Sequence, residues 1–431
     1  MDITDMTVKA FTTDKPERAA CAPAGPSRGL GRPLFRGASG AGLALASALL
    51  AALFLAGCPA PGKTGGREIA PVPPPEKGSP PVAGRPLSGV PAPWGDLAGS
   101  LSRLGLPEDR VRGFFRSEGL AFTPRPMETK LRELFGIFFR SDLTKQIQES
   151  LYQLGYDIRI DGRNGSGTRA AIQRYQKDHG LAADGRVTQA LAKALDAAAR
   201  SGKVRPLSEY RPPPAGKPDR TSTHTQFSSP SAVASLRAHY QADKAIFDRM
   251  ERAYQVPGPL VASIMWIETG YGSYFGKAKA AVSLASMAAS ADYSLIAPRL
   301  SDIDRDSETR AYLSETAAKR GAWARDELAA LLSFAWANGH DPMEFPGSIY
   351  GAVGYGQFMP SNISRYAVDG DGDQRIDLFE KTDAVFSIGN YLKEHGWSGD
   401  MSSEDKRRAV IRKYNNSGTY INTVLYVAGA L

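Results

Sequence analysis

Residues 259–272, Pro-Leu-Val-Ala-Ser-Ile-Met-Trp-Ile-Glu-Thr-Gly-Tyr-Gly, read as an apolar helix with a single carboxylate near its end. Proline opens the helix and the two glycines close it. Glu268 lies seven residues after Val261, four after Ile264 and three after Met265, so it projects from the apolar stripe. A lone carboxylate in that position is partly desolvated. Desolvation penalises the charged form and raises the pKa, the condition for a carboxylic acid that donates a proton near neutral pH. The same spacing also suits a helix-end glutamate turned to solvent or paired with an arginine.

Outward from this helix, residues 231–431 read as one mostly helical domain. Helices are expected near 231–255, 259–270, 308–338, 382–395 and 405–430, with Gly339 and Gly396 at helix C-terminal positions. The stretch 347–361, Gly-Ser-Ile-Tyr-Gly-Ala-Val-Gly-Tyr-Gly-Gln-Phe-Met-Pro-Ser, sets glycine beside aromatics and glutamine, as in a backbone folded closely against a ligand. Residues 369–383 form an acidic loop. Asp369, Asp371, Asp373 and Asp377 occupy positions 1, 3, 5 and 9 of a calcium-loop pattern, with Arg375 at position 7, Ile376 at 8 and Glu380 at 12. Gln374 stands at position 6, where glycine normally makes the sharp turn, and this departure weakens the expected binding. The plain alternative is an acidic surface turn.

The N-terminal half is organised differently. Residues 96–138 show apolar positions at helical spacing. A near-repeat follows: Ile147-Gln148, then Gly155-Tyr156 and Asp161-Gly162-Arg163; Ile172-Gln173, then Gly180-Leu181 and Asp184-Gly185-Arg186. Each unit reads as an amphipathic helix with a glycine cap and a tight Asp-Gly turn, and a final helix near 188–199 completes a three-helix module. Proline-rich stretches at 58–95 and about 200–230 read as tether and linker.

In the order ETGYG, GSIYGAVGYGQFMPS, the acidic loop, then Tyr414-Asn-Asn-Ser417 with Tyr420, residues 231–431 resemble the membrane-bound lytic murein transglycosylase B family. Residues 143–199 resemble the bacterial peptidoglycan-binding domain of the three-helix Asp-Gly repeat type. The resemblance implies a mainly α protein: a lysozyme-like helical catalytic domain plus the small wall-binding module. It implies a lyase that cleaves the β-1,4 bond between N-acetylmuramic acid and N-acetylglucosamine in peptidoglycan glycan strands. It also implies Glu268 as the single acid/base, Ser348 and Gln357 beside it, and Tyr414, Asn415 and Tyr420 along the sugar cleft; the rings of Tyr355 and Phe358 suit either stacking on sugar faces or core packing. It further implies structural calcium at 369–383, with a closing ligand farther along at Asp383, so that Glu380 and Asp383 both stand as the acid that closes the loop, and no catalytic cofactor. Two other readings stand beside it: a muramidase that hydrolyses the same bond, and a non-catalytic wall-binding lipoprotein. The charged segment 289–320 is longer than the family pattern leads one to expect. Residues 96–142 belong either to the helical N-terminal region or to the catalytic domain, which would make the wall-binding module an insertion.

Residues 37–57 form a long uncharged apolar run after Arg28, Arg32 and Arg36, and it ends in Leu-Ala-Gly-Cys58. This reads as a signal peptide over 1–57 whose end looks like a bacterial lipobox, with Cys58 as the lipidated residue. An uncleaved membrane anchor is the alternative, since the run is just long enough to span. Both readings put the remainder outside the cytoplasm; the first expects a lipid-anchored envelope protein, at the outer membrane and facing the periplasm. Gly57–Thr64 matches a phosphate-loop string, but the prolines that follow exclude the strand–loop–helix context it needs. The chain's 431 residues allow two or more domains, and a net charge of +8 is too dilute over that length to require nucleic acid. Two cysteines and five scattered histidines exclude a disulfide framework and a His/Cys zinc site.

Overall fold

A computed structural model of the chain describes residues 86–212, 219–398 and 400–431. The expected signal peptide, Cys58 and most of the proline-rich tether lie outside these residues. Among the described residues, no helix is long and apolar enough to cross a membrane.

The architecture is mainly α, as expected. In chain order the helices begin with α1 (Gly95–Arg103), α2 (Glu108–Phe115), α3 (Arg125–Gln153), α4 (Ser166–Asp178) and α5 (Gln189–Ser201). Then come α6 (Thr225–Ser228), α7 (Pro230–Ala242), α8 (Lys244–Tyr254), α9 (Gly258–Thr269) and α10 (Ala280–Ala289). The last five are α11 (Ser307–Ala337), α12 (Pro360–Tyr366), α13 (Lys381–Glu394), α14 (Glu404–Tyr414) and α15 (Gly418–Gly429). Two short strands, β1 (Ala278–Lys279) and β2 (Pro346–Gly347), pair antiparallel with Ala278 opposite Gly347.

Two expected helices are each broken in two. The run at 231–255 is interrupted at Asp243, whose carboxylate accepts a hydrogen bond from the Tyr271 hydroxyl at 2.9 Å and pairs with the Lys381 ammonium at 2.7 Å. The run at 405–430 is interrupted at Asn415, which is extended (φ −149°) and accepts the Ser417 amide on its own side chain. Ser417 then caps α15.

The chain divides into two units. One comprises the described part of Pro74–Asp219 with Val282–Ala329, so the charged segment 289–320 groups with the N-terminal half. The other comprises Arg220–Ala281 and Ala330–Leu431. In the first unit, the module's core is built from Ile147 and Leu151 of α3, Ile172 and Tyr175 of α4, and Leu191 and Leu195 of α5. The repeat is real, but its glutamines differ from the expected pair. Gln148 is fully buried and its carbonyl accepts the amides of Asp161 and Gly162 at 2.9 and 2.8 Å. In the second copy Gln176, not the exposed Gln173, accepts the Gly185 amide at 2.9 Å and donates to Asp184. The two Asp-Gly turns are the same device, reached from different helical positions. The stretch expected to be linker is ordered at both ends. Arg205 and Tyr210 hydrogen-bond onto the module at Gly155 and Ile160, while Phe227 accepts from the Trp266 indole.

Gln148→Ala removes the acceptor shared by two turn amides and leaves buried donors unpaired, a loss of about 3 kcal/mol. Amide exchange at Gly162 is expected to accelerate by roughly a hundredfold while exchange in α9 and α15 stays as it was. Hydrogen-exchange mass spectrometry checks this; unchanged exchange at Gly162 refutes it.

Candidate active site

Helix α9 is buried along almost its whole length, with Leu260, Val261, Ile264, Met265 and Ile267 all in the core. It packs along α15. Glu268 sits in its last turn and is 2% exposed, so the solvent-turned alternative does not hold. The Tyr420 hydroxyl, from the first turn of α15, donates to Glu268 Oε1 at 2.9 Å. Burial pushes the Glu268 carboxyl up to about 8, and the Tyr420 hydrogen bond offsets part of that rise by favouring the carboxylate. Tyr414 and Tyr420 are themselves pushed well above the ordinary tyrosine range by burial and by the nearby Glu268 charge, so both remain hydroxyl donors.

The glycine-rich stretch is tied directly to this helix end. The Thr269 hydroxyl lies 3.2 Å from the Tyr355 carbonyl and 3.1 Å from the Met265 carbonyl, within donating reach of both, and it accepts the Gly272 amide at 3.0 Å. Val353 and Phe358 exchange amide hydrogen bonds across a tight loop. At its turn, Gln357 adopts φ 46° and its amide donates to the Gly354 carbonyl. Gln357 Oε1 is buried and accepts no hydrogen bond from the described residues. The Tyr414 hydroxyl donates to the Gly356 carbonyl; a Cβ at Gly356 would stand 2.7 Å from that hydroxyl, which is why the position must be glycine.

The expected site residues therefore separate. Glu268 and Tyr420 are hydrogen-bonded to each other, Tyr414 lies close enough to feel the Glu268 charge, and Gln357 is buried in the loop that Tyr414 holds through Gly356. Asn415, 3% exposed, holds the α14–α15 connection through the Ser417 amide. The Ser348 hydroxyl accepts the Tyr350 and Ala352 amides and so braces its own loop. Tyr355 lies over Gly272 and packs edge-on against Phe275 at 5.0 Å, while Phe358 packs against Tyr391 and Tyr414. Both rings are buried against other rings. Thr269 and the Asp243–Tyr271–Lys381 cluster were not picked out from the sequence, because their partners lie 28 to 138 residues away.

In the acidic loop, carboxylate oxygens of Asp369, Asp371 and Asp383 lie within 4.8 Å of one another. Asp373 accepts the Arg375 amide, and Glu380 caps α13 through the Thr382 and Asp383 amides; neither belongs to that group. Asp383 is buried and accepts the Gly370 and Asp377 amides, both at 2.7 Å. Gln374 adopts φ 72°, the conformation glycine would take without cost. Asn338 holds the loop's far side, accepting from the Ile376 amide and the Arg375 guanidinium. An all-oxygen set of this kind fits a hard divalent cation. The loop also meets the glycine-rich stretch, since Leu378 accepts the Tyr355 amide at 3.0 Å.

A buried glutamic acid on a core helix, held by the Tyr420 hydroxyl and joined through Thr269 to a glycine-rich loop, can donate a proton near neutral pH. The Transglycosylase SLT domain family matches residues 168–406, more than half of the chain, and the putative peptidoglycan binding domain family matches 140–195. The chain belongs to the transglycosylase SLT-domain family. It is 28% identical over 259 residues to the membrane-bound lytic murein transglycosylase B of Escherichia coli K12, a match spanning 59% of this chain and 63% of that protein. Solved structures similar to it include soluble lytic transglycosylase SltB1 from Pseudomonas aeruginosa (22% identity, TM-score 0.39, 61% of this chain and 97% of that one). Another is Escherichia coli Slt35 in complex with calcium (20% identity, TM-score 0.39, 66% and 97%).

The raised pKa has a stability consequence. Glu268 stays protonated in the folded chain up to about pH 8, while an unfolded glutamate ionises near 4.5. Folding therefore takes up a proton between these values, and this group's contribution to stability falls as pH rises from about 4.5 to about 8. Glu268→Gln removes that dependence. The variant should gain stability over the parent with rising pH, by about 3 kcal/mol at neutrality. Urea unfolding at pH 5 and pH 8 reads the difference; an equal offset at both pH values contradicts it.

Proposed function

We propose that this chain is a lytic transglycosylase of peptidoglycan, a lyase that cleaves the β-1,4 bond after N-acetylmuramic acid and leaves a 1,6-anhydro end. The carrying observation is Glu268, a carboxyl kept protonated by burial. Its shift has burial and Tyr420 as causes, with no neighbouring carboxylate among them. Glu268 donates its proton to the glycosidic oxygen as the C1–O bond breaks. The carboxylate so formed takes the proton of the muramyl C6 hydroxyl while O6 bonds to C1, which restores the acid and consumes no water. A hydrolase ordinarily adds a second flanking carboxylate to activate water. Tyr420 stabilises the carboxylate between the two steps, and the buried, unengaged Gln357 Oε1 offers an acceptor for a sugar hydroxyl.

The peptidoglycan-binding module supplies attachment to the insoluble polymer. Cys58 in its Leu-Ala-Gly-Cys context supports an N-terminal lipid anchor in the cell envelope, at the outer membrane and facing the periplasm. The relative named as membrane-bound supports a place in the envelope.

Intact sacculi digested with the chain are expected to release muropeptides with anhydro ends, read by mass spectrometry. Glu268→Gln should reduce release at least about a hundredfold with sacculus binding retained. The parent rate should fall above about pH 8 as the acid form is lost. Reducing ends would make the enzyme a muramidase; no release would make it a wall-binding protein.

Calcium at Asp369, Asp371 and Asp383 completes the proposal. When bound it neutralises three clustered carboxylates and supplies no step of the proton chemistry. These side chains hold the loop against Asn338 and, through Leu378, against Tyr355. Calcium is expected to raise the melting temperature increasingly above a dissociation constant on the order of 10⁻⁴ M, and magnesium should substitute poorly. Asp371→Ala should erase the shift. A melting curve indifferent to millimolar calcium would leave the loop an acidic surface turn.

A further inference from the structure

The wall-binding module has no linker on its N-terminal side. Helix α3 is one continuous element of 29 residues. Its first half carries the fully buried Met127 and Leu131 and is pinned to the segment Val282–Ala329 of the same unit. The Arg132 guanidinium donates two hydrogen bonds to the Asp302 carboxylate, at 2.8 and 2.9 Å, and a third to the Arg299 carbonyl at 2.6 Å. The Tyr312 hydroxyl donates to the Leu134 carbonyl at 3.2 Å, and Phe138 stacks on the Tyr312 ring at 4.6 Å. The second half of the same helix gives Ile147, Gln148 and Leu151 to the module.

We infer that α3 is a rigid strut, and Arg132 its positioning residue, so that the module is held in one orientation on the 282–329 segment. Beyond Pro126 in its first turn α3 has no proline, and Phe138 and Phe139 pack on Tyr312 just past Gly136, its one glycine, so a helix common to both packed regions leaves the module no free hinge. This gives the long charged segment 289–320 a role: it supplies Arg299, Asp302 and Tyr312, the residues that receive the strut. Wall binding then does more than raise local substrate concentration; it fixes how the first unit stands on the glycan. That consequence rests on the transglycosylase reading, whereas the strut itself does not.

Two measurements test this. In the full chain with Cys21→Ser and Cys58→Ser, spin labels at Lys193→Cys and Ser301→Cys should give a narrow distance distribution by pulsed electron resonance. Arg132→Ala should broaden it, and Gly-Ser-Gly inserted after Phe139 should broaden it further. A broad distribution in the parent overturns the strut. In the second measurement, the insertion variant should keep sacculus pull-down and turnover of short soluble glycans, while release from intact sacculi falls about tenfold. Unchanged release would reduce the module to a mobile anchor, and equal loss on soluble glycans would make α3 a support of the catalytic fold; either result overturns the inference. A parent that releases no anhydro ends refutes the proposed activity while the distance measurement still decides the strut.

Discussion

The structure of the second unit turns on keeping one carboxyl out of water. Moving Glu268 from its ordinary value to about 8 corresponds to roughly 5 kcal/mol against its ionised form. That is comparable with the whole stability of a typical domain. The surrounding core has to sustain it. An α9 apolar on nearly every side, packed along α15, provides the desolvation, and the Tyr420 hydrogen bond offsets part of it.

From that point the constraints pass outward through hydrogen bonds. Thr269, next in sequence to the acid, joins the helix end to the Tyr355 carbonyl, and the Tyr355 amide joins Leu378 at the end of the acidic loop. Tyr414 reaches the Gly356 carbonyl from α14. The aromatic residues of the glycine-rich stretch serve this bracing by packing on other rings, while Tyr420 Oη holds Glu268. The acidic loop follows the same division of labour: Asp369, Asp371 and Asp383 converge, while Glu380 is committed to a helix cap.

The wall-binding module in the first unit solves a different problem, that of holding small helices together with little core. A buried glutamine carbonyl in each repeat accepts the glycine amide of an Asp-Gly turn, which replaces apolar volume with directed hydrogen bonds. The module then shares α3 with the 282–329 segment, so its stability and its orientation come from the same helix.

The sequence by itself determined the mainly helical class, the apolar helix ending in Glu268, the Asp-Gly turns and the carboxylate spacing of the acidic loop. These are local properties: a periodicity of 3.6, glycine at turns and side chains a few residues apart. Tertiary structure alone decided which of them work together. It buried Glu268 instead of leaving it at the surface, chose Gln176 over Gln173 and set Asp383 beside Asp369 and Asp371 in place of Glu380. It also broke two helices at Asp243 and Asn415. Each of those outcomes depends on a partner brought close by packing, such as Tyr420 to Glu268 across 152 positions, and no local pattern encodes such a pairing.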